Sequence, residues 1–566
     1  MTTLSTKLLF TFTTLGLAIL PAAQAATNTY RGVAATGRVV RSSQLILGKP
    51  SHTLSPTTRK AKPFFTPGKQ GVPRSNPASP GASSLPIQSR ISGSLLQNFN
   101  GLSNLDSATI PNNFGTVVEP PDQGLCVGNL AGEPVVFEMV NIALAAYTPD
   151  GSTILFEDGV NDFFAEPPAP FTDELVSDPR CVYDSSTNTF FFTVVATNIT
   201  ASPTPAAFES HLDVVVVNAA TLGLTEYKFD TTDLNNPLGD CPCLDDQPHL
   251  GIDNNALYVG ADEFSILEPP YNGAELLVIS KSQLESGVAS PNFAYFTNLS
   301  LAGIPVLTLM PAISVTPTNT EYLENAFPYD AAGNNITVTN KVGLWTSSDD
   351  AVVNSGGVPT LTSTLVTTEP YAFPVLAETP PPTPDCILAD EGAGSLCGFL
   401  NPNDDRMGQV EFVKGRLWSS VETAVNLPGD VGQRDGAAWF KIDPSNGRVT
   451  QQGYIASAGE YLLYPTVLTT GNGLTTVNFT MTNSSLNPSA AFTVFPTSPL
   501  PRITIAAQGV SAYNSFSFRW GDYSFAALDP SGNHIWMANE YIPPLAEQVF
   551  FGPLPVANWG TEVFEH

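Results

Sequence analysis

The chain has 566 residues, with 52 acidic and 23 basic side chains and a formal net charge of −29 at pH 7. Residues 1–105 contain no Asp or Glu but hold 11 of the basic residues, so the rest of the chain carries a formal charge of −40. Such a charge repels phosphate and argues against nucleic acid as a partner of this acidic body.

The N-terminus predicts export. Lys7 precedes an apolar run from Leu8 to Leu20, and Ala23-Gln24-Ala25 supplies the small residues of a cleavage site. The run is short for a membrane span, and a retained N-terminal anchor is the alternative. No later stretch reaches the ~20 apolar residues that a membrane helix needs. We expect residues 1–25 to be a signal peptide, and the mature protein to be secreted, extracellular or periplasmic, without a transmembrane segment.

Residues 26–105 form a basic segment rich in Pro, Ser and Thr. It lacks a sustained apolar period, so we expect it to be disordered or extended. Three roles stay open for it, namely a solvated tether, a pro-segment lying on the acidic body, or a binder of an anionic surface. The predicted organisation is therefore a linker or pro-segment over residues 26–105 and an acidic domain over residues 106–566.

Six cysteines in an exported chain are typical of disulfide bonding. Cys386 and Cys397 enclose a short loop and are predicted to pair locally. Cys241-Pro242-Cys243 lacks the two-residue spacer of a thioredoxin motif, which favours a structural role. Zinc is disfavoured because no histidine or second thiol pair lies at ligand spacing.

A repeated unit runs along the acidic domain: a polar or Pro-containing knot, a short apolar strand, a turn and a second apolar strand. β-branched and aromatic residues are frequent between turn signals, and few segments have a helical period. Four-stranded units repeated in this way predict an all-β, seven-bladed β-propeller, with a pair of β-sandwiches as the alternative. The seven units begin at Pro121, Asp178, Asp246, Met310, Asp405, Tyr464 and Arg519.

In a propeller the innermost strand of each blade lines the central channel, so each knot should lie at the channel mouth. Cys126 and Cys181 occupy nearly equivalent places in the first two units. Adjacent innermost strands would bring these two cysteines together. The repeat therefore predicts a Cys126–Cys181 disulfide.

Several knots resemble those of a known group of proteins. Ser177-Asp178-Pro179-Arg180, Asp246-Gln247-Pro248-His249, Arg406-Met407 and Arg519-Trp520-Gly521-Asp522-Tyr523 together resemble secreted bacterial proteins of the sialidase-like β-propeller kind. The resemblance spans roughly residues 98–545. It implies a propeller fold and export but no particular activity, because most of that group have no assigned activity. Sialidases usually carry Asp-box turns, of which Asp150-Gly151-Ser152-Thr153 is only a fragment, so sialidase activity is not implied.

Arginines in three knots are the candidate ligand-binding residues. Arg180, Arg406 and Arg519 could converge on a carboxylate, as an acidic sugar requires, with Tyr523 beside them. The alternative is that each arginine pairs with a carboxylate of its own knot, such as Asp178, Asp405 or Asp522.

Carboxylates of the knots are the candidate catalytic groups. Glycoside hydrolysis uses two carboxyl groups roughly 5 to 10 Å apart. His249, beside Asp245 and Asp246, could act as a general base or could be a structural, hydrogen-bonded histidine. The pattern has low specificity because the chain is so acidic. The candidates are Asp178, Asp246, His249, Asp405 and Asp522, drawn from a wider set that adds Asp122, Asp245, Asp262, Glu263 and Asp404.

No cofactor is predicted, and Ca²⁺ is the alternative to none. Asp404-Asp405, or Asp245-Asp246 near Asp262-Glu263, could supply its oxygen ligands, although EF-hand spacing is absent from the sequence. Motifs of serine hydrolases, zinc proteases and nucleotide-binding proteins are also absent from it.

We interpret the chain as a secreted ligand-binding propeller for carbohydrate or a cell-surface partner. Whether it is an enzyme stays open, and so does its oligomeric state. One alternative function is an extracellular glycoside hydrolase or lyase that uses channel carboxylates and an arginine clamp. The other is a structural or adhesive envelope protein.

Overall fold

A computed structural model describes residues 27–48, 63–65, 95–110, 113, 115–166, 175–197, 208–233, 241–267, 271–381, 398–495, 502–515, 519–551 and 554–566. No helix in these ranges is long and apolar enough to cross a membrane. The predicted signal peptide and the predicted Cys386–Cys397 pair lie outside them.

The described chain is predominantly β. The strands before the first complete sheet are β1 (Asn28–Tyr30), β2 (Val33–Thr36), β3 (Arg38–Gln44), β4 (Pro63–Phe65), β5 (Gln97–Ser103) and β6 (Val117–Glu119). Sheets one to three contain β7 (Gly124–Leu130), β8 (Glu133–Val140), β9 (Ala143–Tyr147), β10 (Ile154–Gly159), β11 (Leu175–Asp184), β12 (Thr189–Thr197), β13 (Ser210–Asn218), β14 (Gly223–Asp230), β15 (Cys243–Ile252), β16 (Ala256–Ser265), β17 (Tyr271–Ser280), β18 (Asn292–Leu301) and the short β19 (Ile304–Pro305).

The remaining strands complete four more sheets and form two separate pairs of short strands. They are β20 (Met310–Ser314), β21 (Glu321–Asn325), β22 (Val338–Ser348), β23 (Thr360–Ala372), β24 (Ala377–Glu378), β25 (Phe399–Leu400), β26 (Val410–Val413), β27 (Arg416–Val425), β28 (Arg434–Asp443), β29 (Arg448–Ile455), β30 (Tyr461–Thr469), β31 (Thr475–Asn483), β32 (Leu486–Phe495), β33 (Ile503–Ala507), β34 (Phe525–Leu528), β35 (Ile535–Tyr541), β36 (Phe550–Phe551), β37 (Leu554–Pro555) and β38 (Gly560–Glu565). The helices are α1 (Asn104–Thr109), α2 (Val160–Phe163) and α3 (Lys281–Glu285), with 3₁₀ turns at Asp350–Ser355 and Leu545–Glu547.

The strands form seven four-stranded antiparallel sheets in the order of a propeller. Six are consecutive: β7–β10, β11–β14, β15–β18, β20–β23, β26–β29 and β30–β33. The seventh combines β34, β35 and β38 with β5 from the other end of the chain, which closes the ring. Each predicted unit contributes the innermost strand of one sheet, so the seven-bladed β-propeller is confirmed.

Each blade packs on both of its neighbours because its strands are apolar on two faces. Along β12, Phe190 and Phe192 enter the core shared with the first blade, whereas Phe191 enters the core shared with the third. This alternation is the two-residue period of a strand. The fully buried β12 thus needs aromatic and β-branched residues on both sides, as its sequence supplies.

The polar knots correspond to bulges near the start of innermost strands. Asp178, Gln247 and Tyr464 each precede a proline and have φ angles of 55°, 51° and 53°. Strand pairing shifts register at each of these sites. Proline cannot donate to the ladder and is tolerated in a sheet at such interruptions. The bulges redirect the polar side chains toward the channel mouth.

The N-terminal segment, expected to be a linker or pro-segment over residues 26–105, contributes strands to the sheets. Strand β3 extends the second blade, β2 the third and β1 the fourth, each as an added outer strand. We call residues 27–48 the strap. In addition, β5 belongs to the seventh blade, so the domain starts before the expected boundary at 106. Edge addition uses backbone hydrogen bonds, which composition does not reveal.

Arg41 anchors the strap between the first two blades. Its Nε lies 3.1 Å from the carboxylate of Glu226, which is fully buried, and its guanidinium also donates to the carbonyl oxygen of Phe163. Burial, and then the charge of Asp213, raises the pKa of Glu226 to about 7. Arg41 therefore compensates a charge that the core would otherwise disfavour.

We expect Arg41→Ala to lower the free energy of unfolding by about 1–3 kcal/mol, because it leaves a buried acceptor without its cation. The loss should be larger at pH 8 than at pH 5, since Glu226 is ionised only at the higher pH. Urea denaturation at both pH values measures this. Arg38→Ala, on an exposed strap position, is the matched control and should change stability by less than about 0.5 kcal/mol. Equal effects of the two changes would contradict the anchoring role.

Buried carboxyl groups make stability depend on pH. Burial raises the pKa of Glu324 from 4.5 to about 7, and the hydroxyl of Ser419 donates to it. The pKa of Glu324 is higher in the folded state than in the unfolded state, so the protonated carboxyl group stabilises the fold, and this contribution is complete below about pH 4.5. It is lost as the pH rises through 7.

For Glu324→Gln we expect a flatter stability profile, because the amide cannot ionise. Between about pH 5 and pH 8 the natural chain should lose about 3 kcal/mol more unfolding free energy than the variant. Urea titrations at the two pH values give the difference. Glu133→Gln, at an exposed site, should leave the natural profile unchanged, and a profile unaltered by Glu324→Gln would refute the assignment.

Candidate functional site

A pocket of about 670 Å³ lies at the mouth of the channel where the knots gather. Its volume falls in the range of about 300–1,000 Å³ that is usual for small-molecule sites. A separate cavity of about 330 Å³ lies at the opposite mouth. The mouth pocket, as we call the first, is lined by the rings of Phe264, Tyr271, Phe327 and Tyr329 and by the polar side chains of Asp246, Gln247, Asp262, Asn403, Asp404, Arg406 and Arg519, among others.

Arg406 is held by Asp404, just before its own knot, and by Gln247 of another knot. Its Nε and Nη2 each donate to a different carboxylate oxygen of Asp404 at 2.8 Å, and its Nη1 donates to the side-chain oxygen of Gln247. Tyr329 also donates to Asp404, at 3.0 Å. All three guanidinium nitrogens of Arg406 are thus engaged within the protein.

Arg519 forms a second buried ion pair. Its Nη2 lies 2.6 Å from both carboxylate oxygens of Asp522, which also accepts from Gln247 at 2.9 Å and from Asn403. Burial alone would raise the pKa of Asp522, but Arg519 and Arg406 outweigh it and lower that pKa. Gln247 contacts both pairs and joins them into one network.

Arg180 lies deeper and does not line the mouth pocket. Its Nη1 donates to the carbonyl oxygens of Gln123 at 3.0 Å and Pro179 at 2.8 Å. Its guanidinium carbon stacks 3.6 Å from the ring centre of Tyr523, whose hydroxyl donates to Asp178 at 3.0 Å. Desolvated stacking of this kind stabilises a buried guanidinium. Of the three arginines, Arg406 and Arg519 line the mouth pocket and Arg180 does not.

The paired arginines have a common cause. Arg180 and Arg519 are buried and Arg406 is largely removed from solvent near the channel axis, where an uncompensated charge is costly. Asp404 and Asp522 meet that requirement for Arg406 and Arg519, and Asp178 reaches Arg180 through Tyr523. The alternative of local pairing thus describes Arg519 with Asp522. For Arg406 the partner is Asp404 rather than the expected Asp405.

Asp405 is a candidate that the structure separates from the site. It is fully buried, does not line the mouth pocket, and burial together with Asp404 raises its pKa well above the usual value. Asp404 and Arg406 line the mouth pocket and bind each other, whereas Asp405 takes no part in that pair. A catalytic role for Asp405 has no support in this arrangement.

Asp246 and Asp262 provide carboxyl groups in the wall of the mouth pocket. Burial, and then the charges of Asp178 and Asp522, raise the pKa of Asp246 well above the usual value. Burial raises the pKa of Asp262 to about 6, while the backbone N–H of Thr308 donates to it at 2.7 Å. The two carboxyl groups of the pocket wall thus both have raised pKa values, that of Asp246 well above its usual value and that of Asp262 at about 6.

His249 lies below the pocket beside Tyr523, with ring centres 5.6 Å apart. Burial, and then the charges of Arg180 and Arg406, lower its pKa well below 6.5, so the imidazole is neutral. It lines a small cavity of about 30 Å³ rather than the mouth pocket. This position fits the structural alternative better than the general base.

Three buried carboxylates offer the nearest approach to a metal site at the channel. Oxygens of Asp122, Asp178 and Asp522 lie within 4.8 Å of one another. Burial, and then Asp522 and Asp178, raise the pKa of Asp122 well above the usual value. Asn141 donates to Asp122, and Arg519 is bound to Asp522. The two pairs expected for Ca²⁺, Asp404-Asp405 and Asp245-Asp246, form no such three-ligand group in the described ranges.

Cys126 and Cys181 form the predicted disulfide, with sulfurs 2.03 Å apart. The bridge joins innermost strands β7 and β11 and lies at the opposite mouth of the channel. Cys241 and Cys243 also pair with each other. All four cysteines of the described ranges are therefore bridged, as the sequence predicts.

Sequence reasoning assigned no role to several site residues. Gln247 is the centre of the polar network, and Tyr271, Tyr329 and Asn403 line the pocket. Their available signal was position, since Gln247 stands before a proline in a knot and Asn403 shortly precedes another knot. Tyr271 and Tyr329 lie outside the knots, so no repeat signal identified them.

No protein-family model and no curated protein sequence matches the chain. A Trypanosoma rangeli sialidase solved with the inhibitor DANA is 14% identical, with 68% of this chain and 57% of that chain covered and a TM-score of 0.34. A Fusarium graminearum α-L-arabinofuranosidase is 9% identical, with coverages of 83% and 98% and a TM-score of 0.32. A Penicillium chrysogenum α-L-arabinanase solved with arabinobiose is 11% identical, with 69% of this chain and 92% of that chain covered and a TM-score of 0.31. Likeness at these levels carries no argument about a ligand.

We expect Asp522→Asn to destabilise the fold by about 3–5 kcal/mol, because it leaves the buried Arg519 without a counter-charge. Chemical denaturation measures the loss. The matched control is Arg416→Ala, which removes the more exposed Arg416–Asp443 pair and should cost about 0–1 kcal/mol. Similar losses for both variants would show that the central pair is not a structural element.

Proposed function

We propose that this propeller binds a neutral carbohydrate in the mouth pocket. The observation that carries the proposal is the pocket itself, a concave surface with four aromatic rings and a set of fixed amide, carboxyl and phenol groups. Sugars present hydroxyl groups for such polar side chains and C–H faces for aromatic rings. Rings that line a cavity supply large apolar contact with little loss of conformational entropy.

The charges of the pocket favour a neutral ligand over an acidic one. Arg406 is bound to Asp404, which immediately precedes its knot, and Arg519 is bound to Asp522 of its own knot. Binding an acidic sugar would require one of them to exchange that partner, at the cost of leaving a buried carboxylate uncompensated. Asp262 adds a further acidic group to the wall. A ligand carboxylate would therefore be repelled, whereas ligand hydroxyl groups can donate to the carboxylates and to the phenol oxygen of Tyr329, whose own hydrogen is donated to Asp404.

Export to an oxidising compartment is part of the proposal. The apolar segment and the Ala23-Gln24-Ala25 site support it, and the Cys126–Cys181 bridge is typical of proteins outside the cytoplasm. The ligand would then be an extracellular or periplasmic glycan, including one on a cell surface. An adhesive envelope protein is the same binding activity directed at a fixed surface.

One observation favours a glycoside hydrolase as the second candidate. The pKa of Asp246 is raised whereas that of Asp522 is lowered, and the two carboxyl groups are close enough to influence each other. In acid–base catalysis, two carboxyl groups with pKa values shifted in opposite directions can serve as a proton donor and an ionised partner. Asp522, however, is occupied by Arg519, Gln247 and Asn403, which limits its access to a substrate.

Calorimetry and a glycan array, with matched neutral and acidic oligosaccharides, test the binding proposal. We expect saturable binding of a neutral glycan, weakened about tenfold by Phe264→Ala, since loss of an aromatic contact is worth roughly 1–1.5 kcal/mol. Phe550→Ala, at an exposed ring outside the pocket, is the control and should leave affinity unchanged. Selective binding of acidic glycans would refute the proposal.

Product analysis on the bound glycan separates the module from the enzyme. Turnover abolished by Asp246→Asn with binding retained would establish hydrolysis. Binding without any product, in the natural chain and the variant alike, would establish the binding module.

A further inference from the structure

The Cys241–Cys243 bridge differs from the Cys126–Cys181 bridge in its accessibility. Cys241 is partly exposed while Cys243 is buried, and the bridge stands at the start of β15. Cys126 and Cys181 are only 2% and 3% exposed. Thiol–disulfide exchange requires a thiolate to approach one sulfur directly, so access determines which bridge reacts. Among the four cysteines in the described ranges Cys241 is the one that is partly exposed, so a small thiol approaches this bridge from the Cys241 side.

The bridge joins a polar cluster that spans three strands of the third blade. Asn272 on β17 donates through Nδ2 to Cys243 Sγ at 3.0 Å and to Glu263 Oε1 at 2.9 Å. Glu263 on β16 has the same oxygen 3.7 Å from Cys241 Sγ. Asn298 on β18 also donates to Glu263, at 3.1 Å. The two sulfurs thus help to hold the ends of β15, β16 and β17 together.

The same strand ends form a wall of the mouth pocket. Asp262 immediately precedes Glu263, and Tyr271 immediately precedes Asn272. Asp246 follows Cys243 on the same strand and pairs with Asp262 across the sheet. Asp246, Asp262 and Tyr271 all line the pocket. The bridge cluster therefore stands directly behind the pocket wall.

We propose that Cys241–Cys243 is a thiol-exchange site whose reduction loosens this wall of the mouth pocket. A thiolate from a low-molecular-weight thiol attacks Cys241 Sγ, which breaks the S–S bond and releases Cys243 as a thiolate that takes a proton from solvent. A second thiol attacks the mixed disulfide, frees Cys241 as a thiol and leaves as the external disulfide. Two electrons pass from the two external thiols to the bridge.

The consequence for ligand binding rests on the proposed function. Without the bridge, β15 loses its short covalent closure beside Asn272 and Glu263, so the positions of Asp246 and Tyr271 become less fixed. A binding site loses affinity when its groups must be ordered on binding. By reciprocity, a bound glycan would disfavour reduction by the same factor as reduction weakens glycan binding.

The chemistry is tested on the full-length protein with graded reduced glutathione, quenching by iodoacetamide, and mass spectrometry of each cysteine peptide, with Cys386 and Cys397 quantified separately. We expect Cys241 and Cys243 to be alkylated at a glutathione concentration at least tenfold below that needed for Cys126 and Cys181. Equal or reversed sensitivity of these two bridges would overturn the site.

Hydrogen exchange of the same samples tests the loosening. Peptides that cover the pocket ends of β15, β16 and β17 should exchange at least threefold faster after selective reduction, while β31 across the ring should not change. The double variant Cys241→Ser, Cys243→Ser should reproduce the faster exchange without a reductant, and Cys126→Ser, Cys181→Ser is the matched control that should leave these peptides unchanged. Unaltered exchange in the reduced protein would overturn the proposal.

These readouts need no ligand, so they separate the two proposals. Absence of any glycan binding, together with selective alkylation and faster exchange, refutes the proposed function alone. A glycan that binds equally well before and after selective reduction overturns the link between the bridge and the pocket.

Discussion

The pairing of β5 with β38 is the interaction on which the rest of the molecule depends. It joins residues at opposite ends of the sequence, as in the hydrogen bond from Asn98 to Glu562, 464 residues apart. With this pairing the seven blades form a ring, and every blade face is covered by a neighbour. Without it the first and seventh blades would each expose an apolar face of aromatic and β-branched residues. The central channel and the mouth pocket exist only in the closed ring.

Closure also explains why the channel holds paired charges. The innermost strands converge on a narrow axis, and their bulges place polar groups there, away from bulk water. Buried polar groups need partners, so Arg519 is neutralised by Asp522 and Arg406 by Asp404. Both guanidinium groups are therefore already paired within the protein and are not available to bind an acidic ligand. What remains accessible at the mouth is a wall of rings, amides and carboxyl groups, which is the basis for proposing a neutral glycan as the ligand.

The repeat was predictable because its signal is local. Each knot combines a turn or proline with a short apolar strand, and the equivalence of the first two knots was enough to pair Cys126 with Cys181. The strap was not predictable, because β1–β3 bind through backbone groups that every sequence possesses. The direction of individual side chains was the other feature that could not be predicted from the sequence. Asp404 and Asp405 are adjacent residues of the same type, yet only Asp404 binds Arg406. Gln247, which connects the two ion pairs, is uncharged, so no charge pattern in the sequence indicates its role.

Ring closure also constrains how the molecule is made. Strand β5 leaves the ribosome early, while its partner β38 follows only after the other blades, so the seventh sheet cannot form during synthesis of the first six. Until then the growing chain is an open arc with two unsatisfied ends, a state that is prone to aggregation. The basic strap precedes β5 and can already bind the second, third and fourth blades in that arc. It thereby covers the outer edge strands of these three blades before β38 has been synthesised.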